Sequence, residues 1–313
     1  MNLSKFIFAC VGITLTLLSD NAFSAQCSAV FPDVIATHGN GVGNSQINFG
    51  YNARLINNPD TELSTRRVNH NSGSNINSCD SVNCTASNTS AETASVNFVR
   101  GGGTIDVNPG FDQTITFGTT SVNNYDQVNA SSQATLNFST GHNVYYFERL
   151  ALGSNNVLNL LAGKTYYFRQ FSVGSNTRVN VVGSGTAIVY VDSAVSFLST
   201  SKINSPGINQ SGNASSLVMH VNGNVRLNSQ STFSGALYAN NINFNSPSYL
   251  FGVASGRKVN LNSNAILTYD NNVFNADFGE VCENSTPLAT AIANFQFDEC
   301  AYFGVGNEVV DQF

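Results

Sequence analysis

Apolar and polar residues alternate with a period of two over most of residues 111–272, and short turns interrupt the alternation at intervals. This alternation predicts β-strands that bury one side. The pattern also repeats, because residues 145–155 and 166–176 match each other at an offset of 21 residues. Self-similarity of this kind along a chain is typical of solenoid proteins.

The repeating unit reads apolar, any residue, apolar, turn residue, serine, three variable residues, then apolar again. Seven segments fit this unit, and they begin at Val128, Leu150, Phe171, Val195, Val225, Ile242 and Val259. The fifth residue of each is a serine: Ser132, Ser154, Ser175, Ser199, Ser229, Ser246 and Ser263. In five units the fourth residue is glycine or asparagine, the types that best tolerate a positive φ. We therefore expect a strand, a corner with a left-handed fourth residue and a serine, and a second strand in each unit.

Such units predict an all-β fold, a parallel β-solenoid (β-helix) in which each unit forms part of one coil. A single coil buries too little to offset the entropy of ordering its backbone, so neighbouring coils must supply hydrogen bonds and a shared core. Stacking places like residues above one another, so the tenth residues Asn137, Asn159 and Asn180 should form an amide ladder. The alternative fold is an antiparallel β-sandwich, which requires no serine at a fixed offset.

Residues 1–25 have the features of a signal peptide. Lys5 precedes an apolar run over residues 6–18, and small residues follow it. The run is short for a membrane span, and a retained N-terminal anchor is the alternative. No later segment is apolar for long enough to cross a bilayer, so we expect an exported chain with no membrane span after cleavage.

Cleavage leaves five cysteines, and an oxidising compartment makes disulfides the default. They are Cys27, Cys79, Cys84, Cys282 and Cys300. Cys79 and Cys84 could pair with each other, or one of them with Cys27, whereas Cys282 could pair with Cys300. One thiol is then free or has its partner outside this chain. No histidine lies at zinc-ligand spacing from the cysteines, so we expect no metal site.

Composition narrows the function. Of the 313 residues, 45 are Asn and 37 are Ser, only 10% are charged, and the net charge is −6. The thirteen Lys and Arg residues are scattered along the sequence and form no basic stripe in it, which argues against nucleic acid as a partner. Within residues 144–270 the carboxylates are Glu148, Asp192 and Asp270, too isolated for a polysaccharide-cleaving site. We therefore expect neither catalytic residues nor a cofactor.

Two further sets of side chains were considered as binding groups. The four histidines are dispersed along the sequence: His38, His70, His142 and His220. No serine or cysteine partner is evident for them, so we expect surface or hydrogen-bonded side chains. Adjacent tyrosines recur in successive units, as Tyr145, Tyr146, Tyr166 and Tyr167. They could stack on sugars, but the period of two favours alternate ones in the core.

The N-terminal region contains the segments 27–32 (CSAVFP), 71–75 (NSGSN) and 79–87 (CDSVNCTAS). Together with the Gly-Ser-Asn coils, they resemble the N-terminal part of MshQ-like proteins of MSHA (mannose-sensitive haemagglutinin) pilus biogenesis. The segments 295–300 (FQFDEC) and 306–311 (GNEVVD) resemble the first strand of the LamG/concanavalin-like domain that follows the solenoid in that family. The resemblance implies an exported protein of a type IV pilus system in the periplasm, at the outer surface or outside a Gram-negative cell, with no catalytic residues to carry over.

The resemblance and the repeat together predict the domain organisation. A signal peptide at 1–25 precedes an irregular, disulfide-bearing β-rich region or cap at 26–110 and the solenoid at 111–272. A linker at 273–289 leads to residues 290–313, which we expect to be the truncated start of a LamG-like domain. About twenty residues cannot form such a sandwich, so we expect a fragment or a truncated product.

A second resemblance supplies an alternative function. The segments 231–239 (STFSGALYA) and 255–261 (SGRKVNL) are similar to the closing coils of bacterial ice-binding solenoids, which bind ice through a flat face of small polar residues. Here the corresponding column has no threonines, Arg226 interrupts it, and the long helix of that fold has no candidate. We therefore expect a non-enzymatic module for pilus biogenesis or surface adhesion, with pilus or cell-envelope proteins and surface glycans as partners. The alternatives are an ice- or carbohydrate-binding solenoid and a carbohydrate-active β-helix enzyme.

Overall fold

A computed structural model describes residues 27–39, 43–71 and 77–283 of the chain. They form an all-β parallel β-solenoid of about ten coils, which confirms the predicted fold class. Nineteen strands make one continuous sheet around the core, and two further strands form a small sheet. The pairings between strands are parallel, so the alternative of an antiparallel sandwich is wrong.

The regular elements are mostly short strands joined by tight corners. The strands are β1 Ile35–Ala36, β2 Gln46–Phe49, β3 Arg54–Ile56, β4 Glu62–Leu63, β5 Arg67–His70, β6 Thr85–Ala86, β7 Thr114–Phe117, β8 Asn124–Ala130, β9 Thr135–Phe138, β10 Val144–Leu152, β11 Val157–Leu161, β12 Thr165–Val173, β13 Arg178–Val182, β14 Ala187–Val191, β15 Val195–Phe197, β16 Lys202–Ile203, β17 Leu217–Val221, β18 Val225–Leu227, β19 Thr232–Phe244, β20 Tyr249–Leu261 and β21 Ile266–Thr268. The helical segments are two 3-10 turns, Ala214–Ser216 and Asn271–Asn275, a short helix, Glu280–Glu283, and a helical turn at 27–30.

Each coil contributes one segment to each of three faces. The first face stacks residues 144–147, 165–168, 187–191, 217–221, 235–239 and 252–256. The second face stacks residues 128–130, 150–152, 171–173, 195–197, 225–227, 242–244 and 259–261. The third face stacks residues 135–138, 157–161, 178–182, 202–203, 232–234, 249–251 and 266–268. Alternate side chains of all three faces point inward and build one continuous core.

The N-terminal region continues the solenoid beyond the coil formed by β20 and β21. On the three faces, β1 and β2 pair with β20, and β3 pairs with β21. β5 then stacks on β2. The prediction of a solenoid in residues 111–272 alone is therefore too short, because residues 35–70 add further coils. They lie at this end because the last coil leaves backbone N–H and C=O groups open along its edge.

Residues 87–106, called the crossover segment below, return the chain to the start of the solenoid along the outside of the first face. The backbone N–H of Ala94 donates to Tyr238 Oη at 3.1 Å. Four residues further on, the Phe98 ring meets the Tyr167 ring edge-on with centroids 5.7 Å apart. Val107 then forms the first bridge of the following coil. The crossover segment thus passes successive coils in the reverse of their stacking order.

The first face is buried on both sides. Its outward side chains form a second apolar cluster with the crossover segment, the helical turn at 27–30 and residues 273–282. Phe31 illustrates the packing, because its ring lies 6.4 Å from that of Tyr238 and 5.7 Å from that of Phe278. The sequence analysis treated residues 273–289 as a linker, whereas residues 273–283 pack against the solenoid.

Two disulfides fasten this arrangement. Cys27 pairs with Cys282, with Cα atoms 5.2 Å apart, so the expected pairing of Cys282 with Cys300 is wrong. The reason is topological: both ends of the described chain lie over the first face. The pairing of Cys79 with Cys84 is confirmed. Cys300 lies outside the described residues.

The corner between the second and third faces differs from the prediction in one respect. In six of the seven units the sixth residue, rather than the fourth, is left-handed, with φ between 56° and 64° in Gln133, Asn155, Asn176, Thr200, Gln230 and Asn264. The remaining unit has Pro247 at this position, and proline cannot adopt a positive φ. The fourth residue instead lies against the preceding coil. A Cβ atom on Gly174 would be 2.4 Å from the backbone oxygen of Gly153, which explains the glycine there.

The seventh residue of the unit points inward and is small and fully buried. These residues are Ala134, Asn156, Thr177, Ser201, Ser231, Ser248 and Ala265. Some of them bind backbone carbonyls of the preceding coil: Thr177 Oγ1 donates to Gly153 O at 2.9 Å, and Ser231 Oγ donates to Leu198 O at 2.9 Å. The corner therefore depends on a small seventh residue, which the sequence analysis classed as variable.

Two more units of the same geometry begin at Ile47 and Val107. Their sixth residues, Asn52 and Asp112, have φ of 55° and 59°. Their fifth residues are Tyr51 and Phe111, both exposed. Serine is therefore not required at the fifth position, and a search that demanded serine could not find these units.

Removing the Cys27–Cys282 disulfide should destabilise the fold. We expect the C27S/C282S variant to lose about 2–4 kcal/mol of unfolding free energy, because this disulfide closes a long loop in the unfolded chain. The matched C79S/C84S variant opens a loop between cysteines only 5 residues apart and should lose less. Urea unfolding of the two variants makes the comparison, and equal losses would contradict it.

Thr200 is a β-branched residue in the left-handed region, at φ 63°. We expect Thr200→Asn to stabilise the protein by about 1 kcal/mol, because asparagine tolerates this conformation better. The reverse exchange at an equivalent corner, Asn264→Thr, should destabilise it by a similar amount. Thermal unfolding of both variants tests the assignment of the sixth position, which fails if the two midpoints move in the same direction.

Candidate functional site

The seven predicted corner serines lie on the outside of the corner between the second and third faces. The backbone N–H of the sixth residue donates to a serine carbonyl of the next coil, as from Asn155 to Ser175 and from Asn176 to Ser199, both at 2.9 Å. The serine side chains are half-buried or exposed in Ser132, Ser154, Ser175, Ser199, Ser229, Ser246 and Ser263. The stacking of these corners therefore depends on the backbone carbonyl groups of the serines and not on their hydroxyl groups.

The three carboxylates of residues 144–270 each have a structural partner. Glu148 pairs with Arg169 at 3.1 Å, and Asp192 pairs with Arg100 of the crossover segment at 3.2 Å. Asp270 accepts a hydrogen bond from a backbone N–H at the start of the turn Asn271–Asn275. Across residues 27–39, 43–71 and 77–283, no group of three or more His, Cys, Asp or Glu side chains is placed to hold a metal ion.

The paired tyrosines divide between the core and the covered side of the first face. Tyr145 and Tyr166 are fully buried in the core. Tyr146 and Tyr167 point outward and stack on each other with centroids 5.4 Å apart, under the crossover segment. The expectation that alternate tyrosines enter the core is confirmed, and the outward pair is not an open platform for sugars.

The second face, in contrast, carries an ordered polar surface that is open to solvent. Asn69 Nδ2 donates to Asn48 Oδ1, Asn48 Nδ2 to Asn260 Oδ1, and Asn260 Nδ2 to Asn243 Oδ1, each at 2.6 Å. This chain of hydrogen bonds, the amide ladder, crosses four coils whose backbones pair in register. An amide group has two N–H donors and two acceptor lone pairs. The ladder therefore fixes each amide and leaves it further hydrogen-bonding capacity.

Cations border the amide ladder at the edge toward the first face. Lys258 and Arg67 lie in one column, in register with Gln46 between them. Arg257 and Arg66 precede them in sequence and are both exposed. Among the described residues, the ion pairs are Arg100–Asp192 and Arg169–Glu148. The four cations beside the ladder therefore form no ion pair with a described carboxylate.

Arg226 extends the same surface at its other end. It is exposed and lies in register between Ser196 and Asn243 on the second face. A groove of about 240 Å³ runs beside it, lined by Asn224 among others. We call the whole surface the amide–cation strip; it consists of Arg226, Asn243, Asn260, Asn48, Asn69, Gln46, Lys258, Arg67, Arg66 and Arg257.

Amide ladders also occur outside the strip. On the third face, Asn180 donates to Asn159 and Asn159 donates to Asn137, both at 2.8 Å, which confirms the predicted ladder. Asn204, the next residue in that column, is buried and donates to the backbone carbonyls of Asn213 and Ser234 instead. The third-face ladder carries the same amide chemistry as the strip, with Arg178 and Lys202 in register beside it, and its asparagines and cations supply the control variants.

The sequence analysis did not find the amide–cation strip. Its residues come from 46–69 and from 226–260, and only the stacking of β2 and β5 on β20 brings them together. Lys and Arg residues that are scattered along the sequence thus gather at one edge of the solenoid. A signal was present in the paired cations Arg66–Arg67 and Arg257–Lys258, but no sequence pattern placed the two pairs on the same face.

Two histidines come together under the cover of the first face. The Tyr238 ring is stacked between His38 and His220, with centroids 4.5 Å and 4.9 Å away. His38 Nε2 donates to Ala239 O at 3.0 Å. Burial lowers the pKa of His220 to about 4, and the nearby charge of His38 acts in the same direction. Burial also lowers the pKa of His38, and the nearby charge of Arg257 acts in the same direction.

The other two histidines support the backbone. His70 Nε2 donates to Cys84 O at 3.1 Å, and its ring stacks on Phe49 with centroids 5.2 Å apart. His142 Nε2 donates to Thr120 O at 2.8 Å. Like His38, both act as hydrogen-bond donors to main-chain carbonyls.

Two findings bear on location. The disulfides are compatible with an exported protein, because such bonds persist in oxidising compartments. Within the described part of the chain, no helix has the length and apolar character needed to cross a bilayer. The predicted signal peptide at 1–25 and the predicted LamG-like start at 290–313 lie outside the described residues.

His220 should make stability depend on pH. Its folded pKa is depressed, so its contribution is complete above pH 6.5 and is lost as the pH falls from 6.5 to about 4. The loss should be about 3 kcal/mol. Urea unfolding at neutral pH and near pH 4 should show a smaller pH dependence for H220Q than for the native chain, whereas H142Q should behave like the native chain. An unchanged pH dependence in H220Q would contradict this.

Comparison with known proteins places the repeats in a family. The family model described as a domain of unknown function, DUF7305, matches residues 90–275, which include the coils from Val107 onward. No curated protein and no solved structure matches the chain. The family match covers more than half of the 313 residues. The chain therefore belongs to the DUF7305 family.

Proposed function

We propose that this protein is an exported, non-enzymatic attachment module of the bacterial cell surface, and that it binds surface glycans through the second face of its solenoid. The amide ladder carries this proposal. It joins Asn69, Asn48, Asn260 and Asn243 by hydrogen bonds of 2.6 Å on an open face. Amide groups that are already held in place lose little side-chain entropy when they bind a ligand.

The spacing of the ladder suits a polymer rich in hydroxyl groups. Successive coils are about 4.8 Å apart, the usual distance between paired strands. A glycan chain that lies along the solenoid axis therefore meets one amide per coil, each with donor and acceptor capacity to spare. The first face is covered by the crossover segment and residues 273–282. On the third face, the backbone N–H groups of Asn209 and Gly212 bind the outward Thr232 and Ser234, which are fully buried, so the second face is the more open wall.

The pilus part of the proposal is supported by the MshQ-like resemblance of residues 27–32 and 79–87. In this proposal the module serves MSHA type IV pilus biogenesis or pilus-linked adhesion in a Gram-negative bacterium. A stack of coils that is closed by disulfides is suited to that setting, because it presents a long, rigid binding wall outside the cell.

The two alternatives are less well supported by the geometry. A flat face of evenly spaced small polar residues could bind ice, but Arg226, Lys258 and Arg67 border or interrupt it here. For the enzyme alternative, the carboxylates of Glu148 and Asp192 are each engaged by an arginine. Both observations favour the attachment module.

Glycan binding by the second face can be tested with a pair of matched variants. We expect the full exported chain to bind glycans on an array, and the N48A/N260A variant to bind the same glycans about tenfold more weakly, because it loses two fixed amides. The N159A/N180A variant disrupts the ladder of the third face in the same way and should bind like the native chain.

Three results would contradict the proposal. One is the absence of glycan binding, and another is equal weakening in the two ladder variants. Thermal hysteresis that is lost in N48A/N260A would favour the ice-binding alternative instead. Turnover of a polysaccharide that is abolished by D192N or E148Q would favour the enzyme alternative.

A further inference from the structure

The amide–cation strip combines two kinds of binding group on one surface. The amides can pair with hydroxyl groups, and the cations can pair with anions. We propose that the natural ligand of the strip is an acidic polysaccharide, a polymer of hydroxyl-bearing sugars with carboxylate or sulfate groups at intervals. This inference rests on the proposed glycan-binding function and names the class of glycan.

The local charge of the strip is opposite to that of the whole protein. The net charge is −6, yet Arg226, Lys258, Arg67, Arg66 and Arg257 all lie on or beside the second face. The outward positions of the second face from residue 224 to the N-terminal coils carry no carboxylate among the described residues: Asn224, Arg226, Asn241, Asn243, Lys258, Asn260, Gln46, Asn48, Arg67 and Asn69. A localised positive surface on an anionic protein selects anionic partners through complementary charge.

The spacing of the cations indicates a periodic anion rather than a single one. Lys258 and Arg67 are separated by the coil that carries Gln46, so they lie about 10 Å apart along the axis. The amide of Gln46 therefore lies between these two cations. Arg226 lies in the neighbouring ladder column, two coils before the coil of Lys258, and the amide of Asn243 occupies the coil between them. A polymer that alternates hydroxyl groups with anions matches this order.

Side-chain chemistry favours a polysaccharide over a nucleic acid. Proteins bind single strands by stacking bases on exposed aromatic rings. The outward positions of the strip hold asparagine, glutamine, lysine and arginine and no aromatic residue. Arginine can bind a carboxylate through two parallel hydrogen bonds, and four of the five cations are exposed arginines, namely Arg66, Arg67, Arg226 and Arg257.

The test uses the full exported chain and four defined polymers. These are polygalacturonate, dextran sulfate, neutral dextran and DNA. We expect an acidic polysaccharide to bind more tightly than dextran, with an affinity that falls as salt is added. Tight binding of polygalacturonate but not dextran sulfate identifies carboxylate as the anion, and the reverse identifies sulfate. DNA that binds more tightly than either acidic polysaccharide would overturn the proposal.

Matched charge variants locate the binding surface. R67Q/K258Q removes two cations of the strip, and R54Q/R178Q removes two exposed cations of the third face, so both change the net charge by the same amount. We expect R67Q/K258Q to weaken binding of the acidic polysaccharide at least about tenfold, because hydrogen bonds to charged groups are lost, and R54Q/R178Q to have little effect. Equal effects of the two variants would overturn the proposal.

The failure of this inference is distinguishable from the failure of the proposed function. If neutral glycans bind in a way that depends on the amides of Asn48 and Asn260, and R67Q/K258Q leaves all binding unchanged, the attachment function stands and the acidic ligand is wrong. If no polymer binds the native chain, both are wrong. Circular dichroism of each variant shows whether the solenoid is intact, so loss of binding by unfolding is recognised.

Discussion

Each coil of this solenoid has two open backbone edges, and the in-register parallel ladder between coils is the interaction on which the rest of the structure depends. A single coil cannot satisfy its own N–H and C=O groups, so it is ordered only against a neighbour. This requirement explains why β1, β2 and β3 stack on β20 and β21 rather than form a separate unit. It also explains why the crossover segment must run the length of the stack.

The crossover gives the three faces different roles. It lies along the first face with the helical turn at 27–30 and residues 273–282, so the outward aromatic residues there become a second core. The Cys27–Cys282 disulfide joins both ends of this cover. The second face and the uncovered part of the third face remain open, and their outward asparagines hydrogen-bond from coil to coil. The proposed binding surface therefore lies on the second face, because the first face is used to pack the two ends of the chain.

The sequence was informative where the determinants are local. Alternation and an offset of 21 residues predicted the strands, the coils and the ladder of Asn137, Asn159 and Asn180, because each copy carries the same signal. The prediction failed at positions where several residue types are compatible with the same backbone geometry. Serine at the fifth position is frequent but not required, as the exposed Tyr51 and Phe111 show. The geometry uses a left-handed sixth residue in all of these units except the one with Pro247, and in the seven serine-bearing units it uses a small buried seventh residue; both positions accept several residue types.

The candidate site depends on contacts that no local pattern encodes. Asn48 and Asn69 join Asn243 and Asn260 in one ladder only because the N-terminal coils stack at the C-terminal end of the solenoid. The same stacking sets Arg66 and Arg67 two coils from Arg257 and Lys258. The strip therefore exists only because the N-terminal coils stack on the C-terminal end of the solenoid. The family match begins at residue 90, so half of the ladder lies outside the matched coils. A DUF7305 chain whose N-terminal region did not complete the stack would keep the core repeats and lose this surface, so the amide–cation strip depends on the N-terminal coils more than on the repeats that define the family.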